Sequence, residues 1–127
     1  MDGKKKALIL IDHGSKVNDA NNMLKDIAEM IKEHDDCGFD IVTYSHMELA
    51  EPTLEQAFRN CVENGADFII VHPYFLVPGR HSKSDIPEMA RRAAENHPHV
   101  RYHVTEPLGI HEKIVEVILE RSGIKNK

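Results

Sequence analysis

Histidine occurs in each of the polar segments that follow four apolar or β-branched runs of the sequence, and the second segment also contains a carboxylate, Glu48. Neutral imidazole binds cobalt, iron, nickel and zinc, and it titrates near neutral pH. Two or three imidazoles that converge with a carboxylate can therefore hold a divalent metal and accept protons. The segments are 12–15, 45–52, 72–81 and 106–111.

Strands and helices that alternate along the chain would bring these segments to one edge of a sheet. Short apolar runs predict strands, and apolar residues at helical spacing predict amphipathic helices. The order βαβαβαβα predicts the α/β class: one flavodoxin-like domain with a four-stranded parallel sheet and helices on both faces. Ligands of such sheets bind beyond the carboxyl ends of the strands. The predicted strands are 6–12, 39–44, 67–71 and 100–104, and the predicted helices are 18–33, 53–64, 85–96 and 109–121.

Length and charge narrow the class of protein. The chain has 127 residues, of which 16 are basic and 21 acidic, giving a net charge of −5. This length predicts one domain over residues 1–127, with the last few residues as a flexible tail. The acidic balance argues against a nucleic-acid-binding module. The longest apolar run, Ala7–Ile11, is too short to cross a membrane or to act as a secretory signal. Cys37 and Cys61 are too few for a disulfide framework, which favours a cytoplasmic location.

Motifs of several other protein classes are absent. The sequence has no Gly-x-Gly-x-x-Gly after its first strand, no P-loop and no Cys-x-x-Cys. Asp12 stands before His13-Gly14 where phosphohistidine phosphatases have an arginine, and its charge would repel phosphate. Two alternatives to an enzyme remain: a non-catalytic metal-binding or metal-delivery protein, and a ligand-binding domain in which the histidines are incidental. We expect four histidines to be solvated or structural: His34, His97, His99 and His103.

Four motifs together resemble the small sirohydrochlorin chelatases of the CbiX and SirB type. The resemblance extends from about Ala7 to Ile118. It implies a chelatase-like fold and the insertion of a divalent metal, Co²⁺ or Fe²⁺, into sirohydrochlorin in cobalamin or sirohaem biosynthesis, with Ni²⁺ as a third option. The motifs are His13-Gly14-Ser15, Met47-Glu48-Leu49-Ala50-Glu51-Pro52, residues 73–81 with Asp85-Ile86-Pro87, and Pro107-Leu108-Gly109-Ile110-His111.

The resemblance also implies roles for individual residues. His13 and His81 match two active-site histidines, to which we assign metal binding and pyrrole deprotonation. Glu48 matches an acidic residue that accepts protons or orients the metal. The candidate substrate-binding residues are Ser15, Lys16, Met47, Tyr74, Phe75, Leu76, Gly79, Arg80 and Lys83, and the candidate auxiliary groups are His46, His72 and His111.

Two positions depart from the family pattern. Asp12 replaces a small residue, and Lys16 replaces an arginine, which keeps the charge but loses the bidentate fork. The metal is a substrate, and we expect no organic cofactor and no iron–sulfur cluster, because the C-terminal cysteines of some plant relatives are absent. A tetrapyrrole is large for one domain of this length. The resemblance to half-size members therefore implies a homodimer, with neither nucleic acid nor membrane as a partner.

Overall fold

A computed structural model describes residues 5–77 and 82–123, and in it strands alternate with helices as the sequence predicts. The strands are β1 (Lys5–Asp12), β2 (Ile41–His46), β3 (Ala66–Pro73) and β4 (Arg101–Val104), and the helices are α1 (Asn18–Lys32), α2 (Leu54–Glu63), α3 (Ser82–Glu95) and α4 (Glu112–Ser122). The strands form one parallel sheet in the order β2-β1-β3-β4. Their carboxyl ends therefore meet at one edge of the sheet.

Alternate side chains of β1 pack into separate apolar clusters on the two faces of the sheet. Ile9 and Ile11 lie in the larger cluster with side chains of α2 and α3. Leu10 lies in the smaller cluster with Leu24 and Ala28 of α1. The sheet carries α2 and α3 on one face and α1 on the other. The predicted α/β class, with a four-stranded parallel sheet and helices on both faces, is confirmed.

Helix α2 begins at a capping box directly after the loop that follows β2. The Thr53 hydroxyl accepts a hydrogen bond from the Gln56 N–H (3.2 Å), and the Gln56 side chain accepts one from the Thr53 N–H (2.8 Å). This pair satisfies backbone donors of the first turn. Leu54, Phe58 and Cys61 face the larger cluster and are buried. The cap and the apolar stripe together fix where the loop after β2 ends.

Two strands extend further toward the carboxyl edge than the sequence pattern predicts. Strand β2 covers Ile41–His46 rather than 39–44, because it pairs with β1 as far as Asp12 opposite His46. Strand β3 continues through Pro73, beyond its predicted end at residue 71. His46 is therefore a strand residue, in correction of its predicted place in a loop.

Helix α4 makes an apolar face without burying it. It begins at Glu112 rather than Gly109, because the His111 ring caps it by accepting a hydrogen bond (3.0 Å) from the Lys113 N–H. No residue of this helix is buried. Its exposed apolar side chains are Val115, Val117, Ile118 and Leu119. No helix within residues 5–77 and 82–123 is long and apolar enough to span a membrane.

Candidate active site

Backbone hydrogen bonds join the loops after β1 and β2 at the carboxyl edge of the sheet. The Met47 N–H donates to the carbonyl oxygen of Asp12 (2.8 Å), and the Glu48 N–H donates to that of His13 (3.0 Å). These bonds extend the link between the two strands beyond their last paired residues. His13 and Glu48, which the sequence predicts to be catalytic, therefore lie on directly adjacent backbone segments.

Gly14 permits this close approach of the two loops. Its φ of +93° lies in the left-handed region, and a Cβ atom there would lie 1.8 Å from the carbonyl oxygen of Glu48. A residue with a side chain could not occupy this position unless the loops moved apart. Leu49 is also left-handed, with φ of 71°, which is uncommon for leucine. The backbone around Glu48 is thus restricted by its close contact with Gly14 and by the left-handed conformation of Leu49.

A cavity of about 420 Å³ opens between these loops and helix α3. We call it the His13 cavity. His13 and Glu48 both line it, so the structure brings together the two predicted catalytic residues that it describes. The rings of His13 and Phe75 meet edge to face with their centroids 5.5 Å apart, which steadies the imidazole. The other lining residues are Met47, Asp85, Glu88, Met89 and Arg92.

Helix α3 contributes side chains that the sequence does not assign to the site. The helix-start pattern indicates Asp85 only as a cap, yet Asp85, Glu88 and Arg92 all line the His13 cavity. Their spacing of three and four residues places them on one helical face. That spacing, directly after the loop that carries His81, is the signal that could have identified them.

Arginines hold Glu88 in its ionised form. Arg91 donates to Glu88 from Nε (3.1 Å) and Nη2 (2.6 Å), and Arg92 donates from Nε (3.1 Å). These hydrogen bonds, chiefly those from Arg91, lower the pKa of Glu88 from 4.5 to about 2. Glu88 thus stays ionised, but its charge is paired with those of Arg91 and Arg92. The carboxyl groups of Glu48 and Asp85, which line the same cavity, are the ones that would attract a metal cation.

Several predicted site residues fall outside the described residues. His81, Gly79 and Arg80 belong to the segment 78–81, and the side chain of Lys83 also lies outside the description. Within residues 5–77 and 82–123, no three His, Cys, Asp or Glu side chains form a group that could hold a metal ion. The roles of these four residues stay predictions.

Ser15 and Lys16 line a different cavity from His13. This polar cavity, of about 280 Å³, lies beside the first turns of α1 and is also lined by His46. Asn21 holds its loop in place: the Ser15 N–H donates to Asn21 Oδ1 (2.9 Å), and Asn21 Nδ2 donates to the Ser15 carbonyl (2.7 Å). The predicted substrate-binding set is therefore divided between two faces of the sheet.

His46 forms a pair with Asp12 inside the protein. The side chain of His46 is 0% exposed and that of Asp12 is 23% exposed, with 2.6 Å between His46 Nδ1 and Asp12 Oδ1. The other ring nitrogen, Nε2, is buried and has no hydrogen-bond partner among the described residues. Asp12, which departs from the family pattern, thus serves as the partner of His46. Neither side chain lines the His13 cavity.

The remaining candidates have local partners away from the His13 cavity. His72 Nδ1 lies 2.8 Å from Thr105 Oγ1, and burial lowers the pKa of the His72 imidazole below 6.5. His111 caps α4. Tyr74 packs against the α1-side cluster, and Leu76 is exposed. Of the predicted apolar contacts with the macrocycle, only Met47 lines the cavity and Phe75 contacts His13.

Comparisons with known proteins agree with this architecture. The model of the CbiX family matches residues 7–124. The chain is 41% identical to the chloroplastic sirohydrochlorin ferrochelatase of Arabidopsis thaliana, over 94% of this chain and 52% of that protein. It is 32% identical to the sirohydrochlorin cobaltochelatase of Sulfolobus acidocaldarius, over 91% of this chain and 88% of that protein.

A solved structure shares the fold over most of the chain. The sirohydrochlorin chelatase SirB from Bacillus subtilis subspecies spizizenii, in complex with cobalt, superposes with a TM-score of 0.84 at 36% identity. The match covers 94% of this chain and 50% of SirB. The chain thus spans about half the length of SirB and of the ferrochelatases that it matches.

Proposed function

The chain belongs to the CbiX family, and on that premise we propose that it is a chelatase that inserts a divalent metal, Co²⁺ or Fe²⁺, into sirohydrochlorin. The observation that carries this proposal is that an imidazole, His13, and a carboxylate, Glu48, line one cavity at the carboxyl edge of the sheet. The relatives named sirohydrochlorin ferrochelatase and cobaltochelatase support the choice of substrate.

The reaction replaces two pyrrole N–H protons with one divalent cation. The protein must therefore hold the incoming metal with few ligands and provide groups that accept protons. We assign metal binding and pyrrole deprotonation to His13, whose ring contacts Phe75, and proton acceptance or metal orientation to Glu48. His81 is the second predicted catalytic histidine, with the same roles in metal binding and pyrrole deprotonation. A site with so few protein ligands leaves coordination positions open for the macrocycle nitrogens.

Substrate contacts are proposed on both sides of the loops after β1 and β2. Met47 lines the His13 cavity and offers apolar surface to the macrocycle, whereas Ser15 and Lys16 border the polar cavity beside α1. Lys16 would attract a carboxylate of the substrate there. Gly79, Arg80 and Lys83 keep the roles that the family resemblance implies.

We further propose that the chain acts as a homodimer. Helix α4 buries none of its residues in the described chain, and Val117 and Ile118 lie exposed on it. Apolar helix faces of this kind are commonly covered by another surface. The chain also spans about half the length of SirB. Light scattering should give twice the mass of one chain, and the double variant Val117→Asp, Ile118→Asp should give one chain mass; a monomeric parent contradicts the proposal.

Three further expectations about this function stay predictions. The product would serve cobalamin or sirohaem synthesis, according to whether cobalt or iron is the physiological metal. The reaction would take place in the cytoplasm. Residues 1–127 would form a single domain, with no nucleic acid and no membrane as a partner.

The experiment that tests the chelatase proposal follows the absorption change when the protein is mixed with sirohydrochlorin and Co²⁺, Fe²⁺ or Ni²⁺ separately. We expect catalysis with cobalt or iron, loss of most of it in His13→Ala and Glu48→Gln, and normal rates in His34→Ala, which removes an exposed histidine paired only with Asp36. Circular dichroism checks that each variant is folded.

The outcomes of this experiment are distinct. Rates no faster than the uncatalysed reaction with every metal would refute the proposal, and metal binding without turnover would then favour a metal-delivery protein. Near-normal turnover in His13→Ala would overturn the assignment of that residue.

A further inference from the structure

A second large cavity adjoins the His13 cavity. It has a volume of about 480 Å³ and lies between the start of α2 and helix α3. We call it the α2–α3 cavity. Met47, Met89 and Arg92 line both cavities, so they form the boundary between the two. Each volume falls within the range of sites for organic ligands and far exceeds what one metal ion occupies.

Acidic and basic side chains are unevenly distributed over the two cavities. Of the side chains that line the His13 cavity, Glu48, Asp85 and Glu88 are acidic, and Arg92 is the only lysine or arginine among the described lining residues. The carboxyl groups of Glu48 and Asp85 attract a divalent cation and repel an anionic ligand group, whereas that of Glu88 is ion-paired with two arginines. The α2–α3 cavity is lined by two arginines, Arg91 and Arg92, and by two acids, Glu55 and Glu95. An anionic group that enters this surface is therefore repelled less at the boundary beside Arg92 than within the His13 cavity.

Arg91 and Arg92, which are adjacent in α3, differ in how many of their guanidinium donors form hydrogen bonds. Arg91 donates from Nε and Nη2 to Glu88 and from Nη1 to Glu95. Arg92 donates only from Nε, to Glu88 Oε2 (3.1 Å). Neither Nη group of Arg92 has a hydrogen-bond acceptor among the described residues. The Nε bond orients the guanidinium and leaves its outer donors open to a ligand.

We propose that Arg92 binds a peripheral carboxylate of the tetrapyrrole through its two Nη groups. This proposal rests on the chelatase function proposed above, because it takes the substrate to be a polycarboxylate. A guanidinium and a carboxylate form two parallel hydrogen bonds, which fix orientation as well as add affinity. Arg92 thereby holds one edge of the macrocycle at the α2–α3 cavity and leaves the acidic part of the site to the metal.

The test compares steady-state kinetics of the parent with those of Arg92→Gln, Arg92→Lys and Arg59→Gln. Arg59 is an exposed arginine of α2 that lines neither cavity, and its variant makes the same change in net charge. We expect Arg92→Gln to raise the KM for sirohydrochlorin about tenfold or more, as the loss of a charged hydrogen-bonded pair does. The KM for the metal and kcat should change little. Arg92→Lys should recover part of the loss, because it keeps the charge without the fork.

A second substrate separates recognition of a carboxylate from other effects. With a methyl-esterified tetrapyrrole, the parent and Arg92→Gln should have the same KM, since the group that Arg92 binds has lost its charge. Equal KM values for sirohydrochlorin in the parent and in Arg92→Gln overturn the proposal. A rise of equal size in Arg59→Gln also overturns it, because the effect would then come from net charge.

Failure of the chelatase function is distinguishable from failure of this inference. If the parent shows no turnover with any metal, the chelatase proposal fails. Fluorescence titration with metal-free sirohydrochlorin then still measures whether Arg92→Gln weakens binding relative to Arg59→Gln. Equal dissociation constants in that titration would refute the role of Arg92.

Discussion

Gly14→Ala is the substitution that tests most directly how the site is built. Gly14 has φ of +93°, and an added Cβ would lie 1.8 Å from the carbonyl oxygen of Glu48, where ordinary contacts begin at 3.4 Å. The alanine first requires a left-handed backbone, at a cost of about 1–2 kcal/mol. The loops that carry His13 and Glu48 must also separate by well over 1 Å, because the atom that the Cβ meets is backbone.

The separation should affect catalysis more than folding. A displacement of about 1 Å at a reacting centre lowers rates on the order of 100-fold. We therefore expect Gly14→Ala to remain folded but to lose at least about 100-fold in kcat/KM for metal insertion, measured by the absorption change of sirohydrochlorin. Urea unfolding should show a loss of about 2–4 kcal/mol, the sum of backbone strain and a disrupted contact.

Gly38→Ala is the matched control. Gly38 also has a left-handed φ, +81°, but a Cβ there would meet no atom within 4 Å. This variant should lose only about 1–2 kcal/mol in stability and keep its rate. The reasoning is refuted if folded Gly14→Ala retains a rate within twofold of the parent, or if both variants lose the same stability and the same activity.

Further predictions concern buried polar groups. Burial lowers the pKa of His72 in the folded state below 6.5, so its contribution to stability is complete above pH 6.5 and declines as the pH falls below it. His72→Gln should flatten the fall in unfolding free energy between pH 7.5 and 5.5 measured in urea, and an unchanged slope would contradict this. Burial raises the pKa of the Cys61 thiol to about 11, so iodoacetamide at pH 8 should modify Cys37 first by mass spectrometry; equal labelling would contradict the assigned burial. Asp12→Ala leaves both nitrogens of buried His46 without a protein partner and should cost about 1–3 kcal/mol in urea unfolding, part of which Asp12→Ala with His46→Phe should recover. An unchanged stability in Asp12→Ala would show that the pair contributes nothing.

Local patterns in the sequence predict the strands and helices of the fold. In α2 the sequence spacing predicts an apolar face of Leu54, Ala57, Phe58, Cys61 and Val62. The first four side chains are buried, and Val62 is half-buried against the same cluster. This agreement arises because the helical period is a property of neighbouring residues, which the sequence displays directly.

Helix α4 shows the limit of prediction from apolar periodicity. Its apolar spacing predicts a helix, and the structure contains one, yet none of its residues is buried. Periodicity indicates that a face is apolar but carries no information about which surface covers it. The His111 cap fixes where α4 begins, but it does not determine which surface the apolar face meets.

The sequence likewise predicts only part of the candidate site. The sequence places His13 and Glu48 after strands and so predicts their approach, because the carboxyl ends of parallel strands share an edge. Only the folded chain separates Lys16 and His46 from them into another cavity. His46 lies on the same face of β2 as Val42 and Tyr44, which pack toward α1. Lys16 lies in the loop that leads into α1. Only the folded chain brings Arg92 to that edge as well, because the path of α3 across the sheet is set by packing of its buried residues and not by its own sequence period.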